Sequence, residues 1–188
     1  MLISSHIAQS CVVQRTTAAN KTDVIKELTH LLFDNKKIKA VGPALDQIIA
    51  REATESTGIG NGFAVPHARI PGMKALACAV GRVPAGMDFM AIDRKPVHLI
   101  LLICYPPAQQ TTYLNFVAMA AKLFSDPVNL KRIMAADSAE SVFNVIEAVE
   151  QAYDIDHEAK IEKWKTDPAI QNVRDGHADL ILLARLQL

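Results

Sequence analysis

The residues best suited to chemistry fall within one stretch of the chain, REATESTGIGNGFAVPHARI at residues 51–70. In it, a glycine-rich loop leads into a short apolar segment and then into His67, directly after Pro66. A neutral imidazole is a nucleophile near pH 7 and needs no strong base. The backbone amides of a glycine-rich loop form an anion-binding nest, and hydroxyls and the guanidinium of Arg51 bind phosphate oxygens. The pattern therefore predicts a histidine that carries a phosphoryl group. The residues predicted to bind the phosphate are Ser56 and Thr57, at the start of the glycine-rich loop, and Gly60 and Gly62 within it.

Each of these residues also has a structural explanation. A lone histidine after Val-Pro is more often structural than catalytic, and glycine spacing by itself predicts only a turn. The hydroxyls of Ser56 and Thr57 are able to satisfy backbone groups of that turn. Arg51, at the predicted end of a helix, would face the negative end of the helix dipole. The loop chemistry alone leaves a phosphoryl site and a structural turn as alternatives.

The remaining histidines indicate neither a metal site nor a second catalytic centre. No two of them have the spacing of a metal-binding pair, and the sequence contains neither a P-loop nor a serine nucleophile elbow. These histidines are His6, His30, His98, His157 and His177. We therefore expect no metal and no cofactor. A small-molecule hydrolase with His67 as its base is a weaker alternative, because no second catalytic group accompanies it.

The overall composition narrows the function further. The 188 residues have a formal net charge of zero, which argues against binding to nucleic acid or to a membrane surface. No apolar run reaches the roughly 18 residues of a membrane span, and the N-terminus lacks the pattern of a signal peptide. Isolated cysteines in apolar runs indicate buried free thiols in a reducing compartment. They are Cys11, Cys78 and Cys104. We expect a cytoplasmic protein whose partners are proteins or small molecules.

The elements that must position His67 alternate between strands and helices, which predicts an α/β fold. Two nearly continuous apolar runs indicate central strands that are covered on both faces. Hairpin-like connections between them favour a mixed sheet. Strands are predicted over residues 10–15, 63–65, 75–83 and 97–104, with a weaker extended segment over 87–92 after a break at Pro84 to Gly86. Helices are predicted over residues 21–35, 42–52, 111–124, 127–134 and 138–153.

The composition of the chain changes near residue 154. Residues 8–153 have the pattern of one domain, whereas 154–188 are charged, interrupted by Pro168, and end in an apolar patch. We interpret 154–188 as a C-terminal extension that is helical or partly disordered. It either packs back on the domain or docks on a neighbouring molecule, so a homodimer is an open alternative.

The stretch TGIGNGFAVPHA, preceded by Arg51-Glu52, resembles the active-site signature of type 2 EIIA domains of the bacterial phosphotransferase system. This is the fructose, mannitol and nitrogen-regulatory class, and the resemblance covers about residues 8–152. It implies a single EIIA-like domain with a mixed sheet flanked by helices. It also implies that an HPr-like phosphocarrier phosphorylates His67, that Arg51 helps to hold the phosphoryl group, and that a IIB domain or a regulatory target is the next partner.

One position departs from the family pattern. Members of the class commonly carry a second histidine, followed by leucine, where this sequence has Tyr113-Leu114. Tyrosine donates a hydrogen bond but neither carries a positive charge nor acts as a base near neutral pH. Two hypotheses follow: a phosphoryl carrier that serves a IIB domain, and a regulatory protein of the nitrogen branch that acts through protein contacts.

Overall fold

The computed structural model describes residues 2–165, and within them the chain forms six strands and five helices. The strands are β1 (Ile7–Val13), β2 (Gly58–Gly60), β3 (Phe63–Ala64), β4 (His67–Arg69), β5 (Ala77–Met87) and β6 (Val97–Tyr105). The helices are α1 (Lys21–Asp34), α2 (Val41–Thr54), α3 (Gln110–Phe124), α4 (Pro127–Ala135) and α5 (Ala139–Lys165). The residues of the site described below belong to one compact unit, Met1–Glu150.

The strands form one mixed sheet in the order β1-β5-β6-β3-β2, with β4 paired to a further part of β6. Strands β5 and β6 are antiparallel neighbours at its centre. Strands β1, β3 and β4 run parallel to their partners, and β2 runs antiparallel to β3. The predicted mixed α/β fold is confirmed.

The two central strands are buried because their side chains are apolar on both faces. Along β6, Ile100, Leu102 and Cys104 belong to the same core cluster as Leu28 of α1. Residues 99, 101 and 103 alternate with them and are also buried, so the opposite face of the strand is covered as well. Helices α3 and α4 contact β6, and α2 contacts β4. The short strand β4 is therefore held between a central strand and a helix.

Two local predictions about β5 are wrong. Pro84 to Gly86 do not end the strand, which continues to Met87 with an irregular register after Arg82. Proline and a glycine with φ of +77° are compatible with a strand at such an irregularity, where the regular ladder of hydrogen bonds is interrupted. The extended segment predicted over 87–92 is absent, since residues 88–92 form no strand in the structure.

Two helices begin at the capping residues that the sequence predicts, and a third does not. Asn20 accepts a hydrogen bond from the Asp23 amide, and Ser138 accepts one from the Ser141 amide, as the sequence predicts. The predicted cap of α3 at Thr111 or Thr112 is wrong, because that helix follows a 3-10 turn and begins at Gln110.

Two helices extend beyond their predicted ends. Helix α2 continues to Thr54, so Arg51 lies in its last turn rather than at its end. Helix α5 continues to Lys165 and so includes the first residues of the predicted extension 154–188. Residues 166–188, with the predicted apolar patch, lie outside the described residues, and the boundary at 153 and the homodimer stay predictions.

Candidate functional site

The position of His67 is set by the pairing of β4 with β6. His67, Ala68 and Arg69 lie opposite Ile103, Cys104 and Tyr105, and the Ile103 amide donates to the Pro66 carbonyl at 2.9 Å. Ala68 is buried in the core cluster. Since side chains alternate along a strand, His67 and Arg69 project to the opposite side.

An open depression of about 490 Å³ surrounds the His67 side chain. Four elements contribute to it: the last turns of α2, strand β4, the end of β6 and the start of α3. Its lining residues are Gln47, Arg51, His67, Ala68, Arg69, Tyr105, Gln110 and Tyr113. The depression thus brings together three of the sequence-predicted residues, His67, Arg51 and Tyr113, although they are far apart in the chain.

The hydrogen bonding of the imidazole determines which nitrogen of His67 is nucleophilic. Nδ1 lies 2.9 Å from the carbonyl oxygen of Val65. A carbonyl oxygen only accepts, so Nδ1 carries the proton and Nε2 keeps its lone pair in the neutral ring. Burial of the half-buried ring lowers the pKa of His67, and the nearby charge of Arg51 also lowers it. The neutral, nucleophilic tautomer is therefore the prevailing form at pH 7.

The Val65 carbonyl is itself held in place by a buried network that begins at Glu52. Val65 donates its amide to the Thr57 carbonyl at 3.0 Å. Thr57 donates its amide and its hydroxyl to the two carboxylate oxygens of Glu52, at 3.0 and 2.5 Å. Lys21 of α1 completes the network with an ion pair to Glu52 at 2.6 Å. Glu52 and Thr57 are almost fully buried, so the network fixes the loop that presents His67.

Tyr113 lies beside the imidazole, at a distance of 5.1 Å between ring centroids. It also stacks on Tyr105 with centroids 4.0 Å apart and an angle of 6° between the ring planes. Burial, with the neighbouring Tyr105 phenol, raises the pKa of Tyr113 to about 12. The side chain next to His67 is thus a neutral, packed phenol at physiological pH.

The hydroxyls predicted to bind phosphate do not reach this depression. Ser56 donates its hydroxyl to the Phe89 carbonyl at 2.6 Å, and Thr57 uses its hydroxyl on Glu52. Neither residue lines the depression around His67. The Ser56 hydroxyl also accepts a hydrogen bond from the Gly58 amide at 3.2 Å, which agrees with the alternative that it satisfies the backbone of the turn, whereas the Thr57 hydroxyl donates to a side chain of α2.

The glycine-rich turn donates a backbone amide to an anion, but that anion belongs to the chain itself. Gly60, Asn61 and Gly62 all have positive φ, at 91°, 53° and 78°. The amide of Asn61 donates to the Asp93 carboxylate at 2.9 Å, and Lys95 donates its amide to the same carboxylate. These hydrogen bonds lower the pKa of Asp93. Gly60 and Gly62 do not line the depression either, and their predicted contact with phosphate receives no support from their positions.

Two arginines line the depression, and the sequence prediction included only one of them. Arg51 donates through Nη1 to the carbonyl of Glu55 at 2.9 Å, so part of its guanidinium is used at the end of its own helix. Arg69 is exposed and was missed. The signal that could have found it is its spacing, because residues two positions apart in a strand, such as His67 and Arg69, project from the same face. Glu52 was also missed, because nothing in its local sequence shows that it is buried.

The cysteines agree with the expectation of buried free thiols. Cys11, Cys78 and Cys104 are free thiols and all three are buried. None of the helices in the described part of the chain combines the length and the apolar character needed to cross a membrane.

A mixed sheet thus presents His67 from a short strand, in a depression that Arg51 also lines. The chain belongs to the family of EIIA type 2 domains of the phosphoenolpyruvate-dependent sugar phosphotransferase system, whose family model matches residues 5–149.

Relatives come from both branches of this class. The fructose-specific EIIA component of Haloferax volcanii is 30% identical over 132 residues, which are 70% of this chain and 85% of that protein. The fructose-specific EIIABC component of Bacillus subtilis is 27% identical over 146 residues, which are 78% of this chain but only 23% of that protein. The crystal structure of nitrogen regulatory protein IIA-Ntr from Neisseria meningitidis is similar, with a TM-score of 0.72 and 28% identity, covering 77% of this chain and 98% of that one.

Proposed function

We propose that this protein is a phosphoryl carrier that accepts a phosphoryl group on Nε2 of His67. The observation that carries the proposal is the hydrogen bond between Nδ1 of His67 and the Val65 carbonyl. It leaves Nε2 as the unprotonated nitrogen of a ring that lines an open depression. Membership of the EIIA type 2 family supports the same function.

The transfer needs no base at the site. Nε2 attacks the phosphorus of a phosphohistidine on the donor protein, the new N–P bond forms as the old one breaks, and the donor imidazole leaves with the electron pair. Because Nε2 carries no proton, none has to be removed from it. The ring becomes cationic when Nε2 is phosphorylated, and the Val65 carbonyl stabilises that charge through the Nδ1 proton. Arg51, which lines the same depression, stabilises the phosphoryl oxygens.

The shape of the site fits a protein donor and a protein acceptor. The depression is open, and the half-buried imidazole is accessible from it. Transient complexes of this kind have small interfaces. We propose an HPr-like phosphocarrier as the donor and a IIB domain as the acceptor, in the cytoplasm.

The test is incubation with a phosphorylated HPr-type phosphocarrier, followed by intact-mass measurement. The expected product carries one phosphate that is stable in alkali and lost in acid, and His67→Ala carries none. Equal incorporation into wild type and His67→Ala would refute the assignment of the nucleophile.

A regulatory function is the second candidate, and the environment of Tyr113 favours it. A neutral phenol, stacked on Tyr105 and buried, stands beside His67. A phosphoryl group next to it meets no second titrating imidazole, which suits a group that is held as a signal rather than passed on rapidly. The similarity to a nitrogen regulatory protein supports this candidate as well.

The two candidates differ in what phosphorylation does. Transfer from phosphorylated protein to a IIB domain within seconds would favour the carrier. For the regulatory candidate, a bound target should be retained or released according to the phosphorylation of His67, and His67→Ala should behave as the unphosphorylated form. A target bound equally by all forms would exclude His67 phosphorylation as the switch.

A further inference from the structure

Arg69 shares the depression with His67 because of the geometry of β4. The two residues are separated by one position in the strand, so both side chains project away from the face on which Ala68 is buried. Arg69 lies in register with Tyr105, whose ring stacks on Tyr113. Arg51 lines the same depression from α2. Two arginines, on different elements, thus line the same depression as the imidazole.

The charge of Arg69 is uncompensated within the described part of the chain. The ion pairs found there join Lys21 to Glu52 and Lys26 to Asp23, and no hydrogen bond or ion pair involves the Arg69 side chain. The lining of the depression contains two arginines and no carboxylate. Glu52, which follows Arg51 on α2, is already bound to Thr57 and Lys21. The depression therefore has a positive charge that the protein's own groups do not neutralise.

A phosphoryl group on His67 would supply the missing negative charge. The group has three oxygens and about two negative charges, which one guanidinium does not fully compensate. Arg51 also already donates one hydrogen bond to the Glu55 carbonyl. The planar fork of a second arginine binds two phosphoryl oxygens at once. We propose that Arg69 is a second phosphoryl-binding residue, which contacts the phosphoryl group during its arrival on Nε2 of His67 and afterwards. This inference rests on the proposed function.

The test separates contact with the phosphoryl group from contact with a donor protein. Phosphoramidate, a small-molecule phosphoryl donor, replaces the donor protein, and incorporation into His67 is followed by mass. Arg69→Gln should react about tenfold more slowly than wild type. This factor corresponds to the lower end of the stabilisation that a charge-assisted hydrogen bond provides, which applies here because the site is open to water. Arg69→Lys keeps the charge and should recover part of the rate. Arg132→Gln, an exposed arginine on α4, is the matched control and should react like wild type.

A second readout reports on the bound phosphoryl group itself. In a ³¹P NMR titration of the phosphorylated protein, the phosphoryl group of Arg69→Gln should take up its proton at a higher pH than that of wild type, because a neighbouring positive charge has been removed. A residue that only supports the fold would not shift this titration.

Three results would overturn the inference. One is an unchanged phosphoramidate rate in Arg69→Gln, and another is a rate reduced only with a protein donor, which would assign Arg69 to docking. The third is an absence of label on wild-type His67 with either donor, which would refute the proposed function together with the inference. Label on His67 with no effect of Arg69→Gln refutes the inference alone.

Discussion

Replacement of Glu52 by alanine should destabilise the protein substantially, because its side chain is the centre of a buried network. Glu52 is 6% exposed, and its carboxylate accepts two hydrogen bonds from Thr57 and pairs with Lys21. Removing one partner of a buried ion pair costs about 3–5 kcal/mol, since it leaves the other groups without compensation. Because Lys21 retains some access to water, we expect a value near the lower end, about 3 kcal/mol.

Urea unfolding followed by circular dichroism measures this loss as a shift of the midpoint at constant slope. Glu52→Gln keeps the shape and one acceptor, so it should lose roughly half as much, about 1–2 kcal/mol. Glu55→Ala is the control: Glu55 is exposed, and its side chain should contribute within about 0.5 kcal/mol. A loss below about 1 kcal/mol for Glu52→Ala would refute the interpretation that the network holds the loop in place.

Three further predictions concern protonation and packing. The pKa of His67 is lowered mainly by burial, so its NMR titration should have a midpoint below 6.5. The stability that the neutral ring contributes should be complete above pH 6.5 and fall as the pH drops through that midpoint. A midpoint above 6.5 would contradict this prediction. Tyr113→Ala should lower the free energy of unfolding by about 3 kcal/mol because the ring is buried and stacked, whereas Tyr113→Phe should lower it by less than about 1 kcal/mol. Equal losses in urea unfolding would be inconsistent with packing as the cause. A Cβ at Gly58 would lie 2.8 Å from the Ala91 Cα, so Gly58→Ala should destabilise by about 1–3 kcal/mol, while Gly42→Ala on α2 has free space and should gain up to about 1 kcal/mol; a thermal melt that ranks the two the other way would disprove the steric argument.

The parts of the fold that the sequence predicts correctly depend on local signals. The apolar runs of β5 and β6 indicate buried central strands whatever lies around them. The caps at Asn20 and Ser138 depend on residues only three positions apart. The position of Tyr113 beside His67 follows from the family resemblance, since no local pattern relates residues 46 positions apart.

Two partners of the loop could not be predicted, because they come from distant parts of the chain. The Ser56 hydroxyl bonds to a carbonyl 33 positions away, and the amide of Asn61 bonds to a carboxylate 32 positions away. A loop rich in hydroxyls and glycines has the same sequence pattern whether its groups bind a phosphate or other parts of the chain. Arg69 was missed for a different reason: the expected strand ended at Pro66, so the period of two that places it beside His67 was not applied.

The most direct test of the central claim is the identification of the phosphorylated nitrogen in His67. After phosphorylation of ¹⁵N-labelled protein, coupling between ³¹P and the ring nitrogens distinguishes Nε2 from Nδ1. The hydrogen bond from Nδ1 to the Val65 carbonyl predicts phosphate on Nε2, with the Nδ1 proton retained. Phosphate on Nδ1, or on a residue other than His67, would contradict the account.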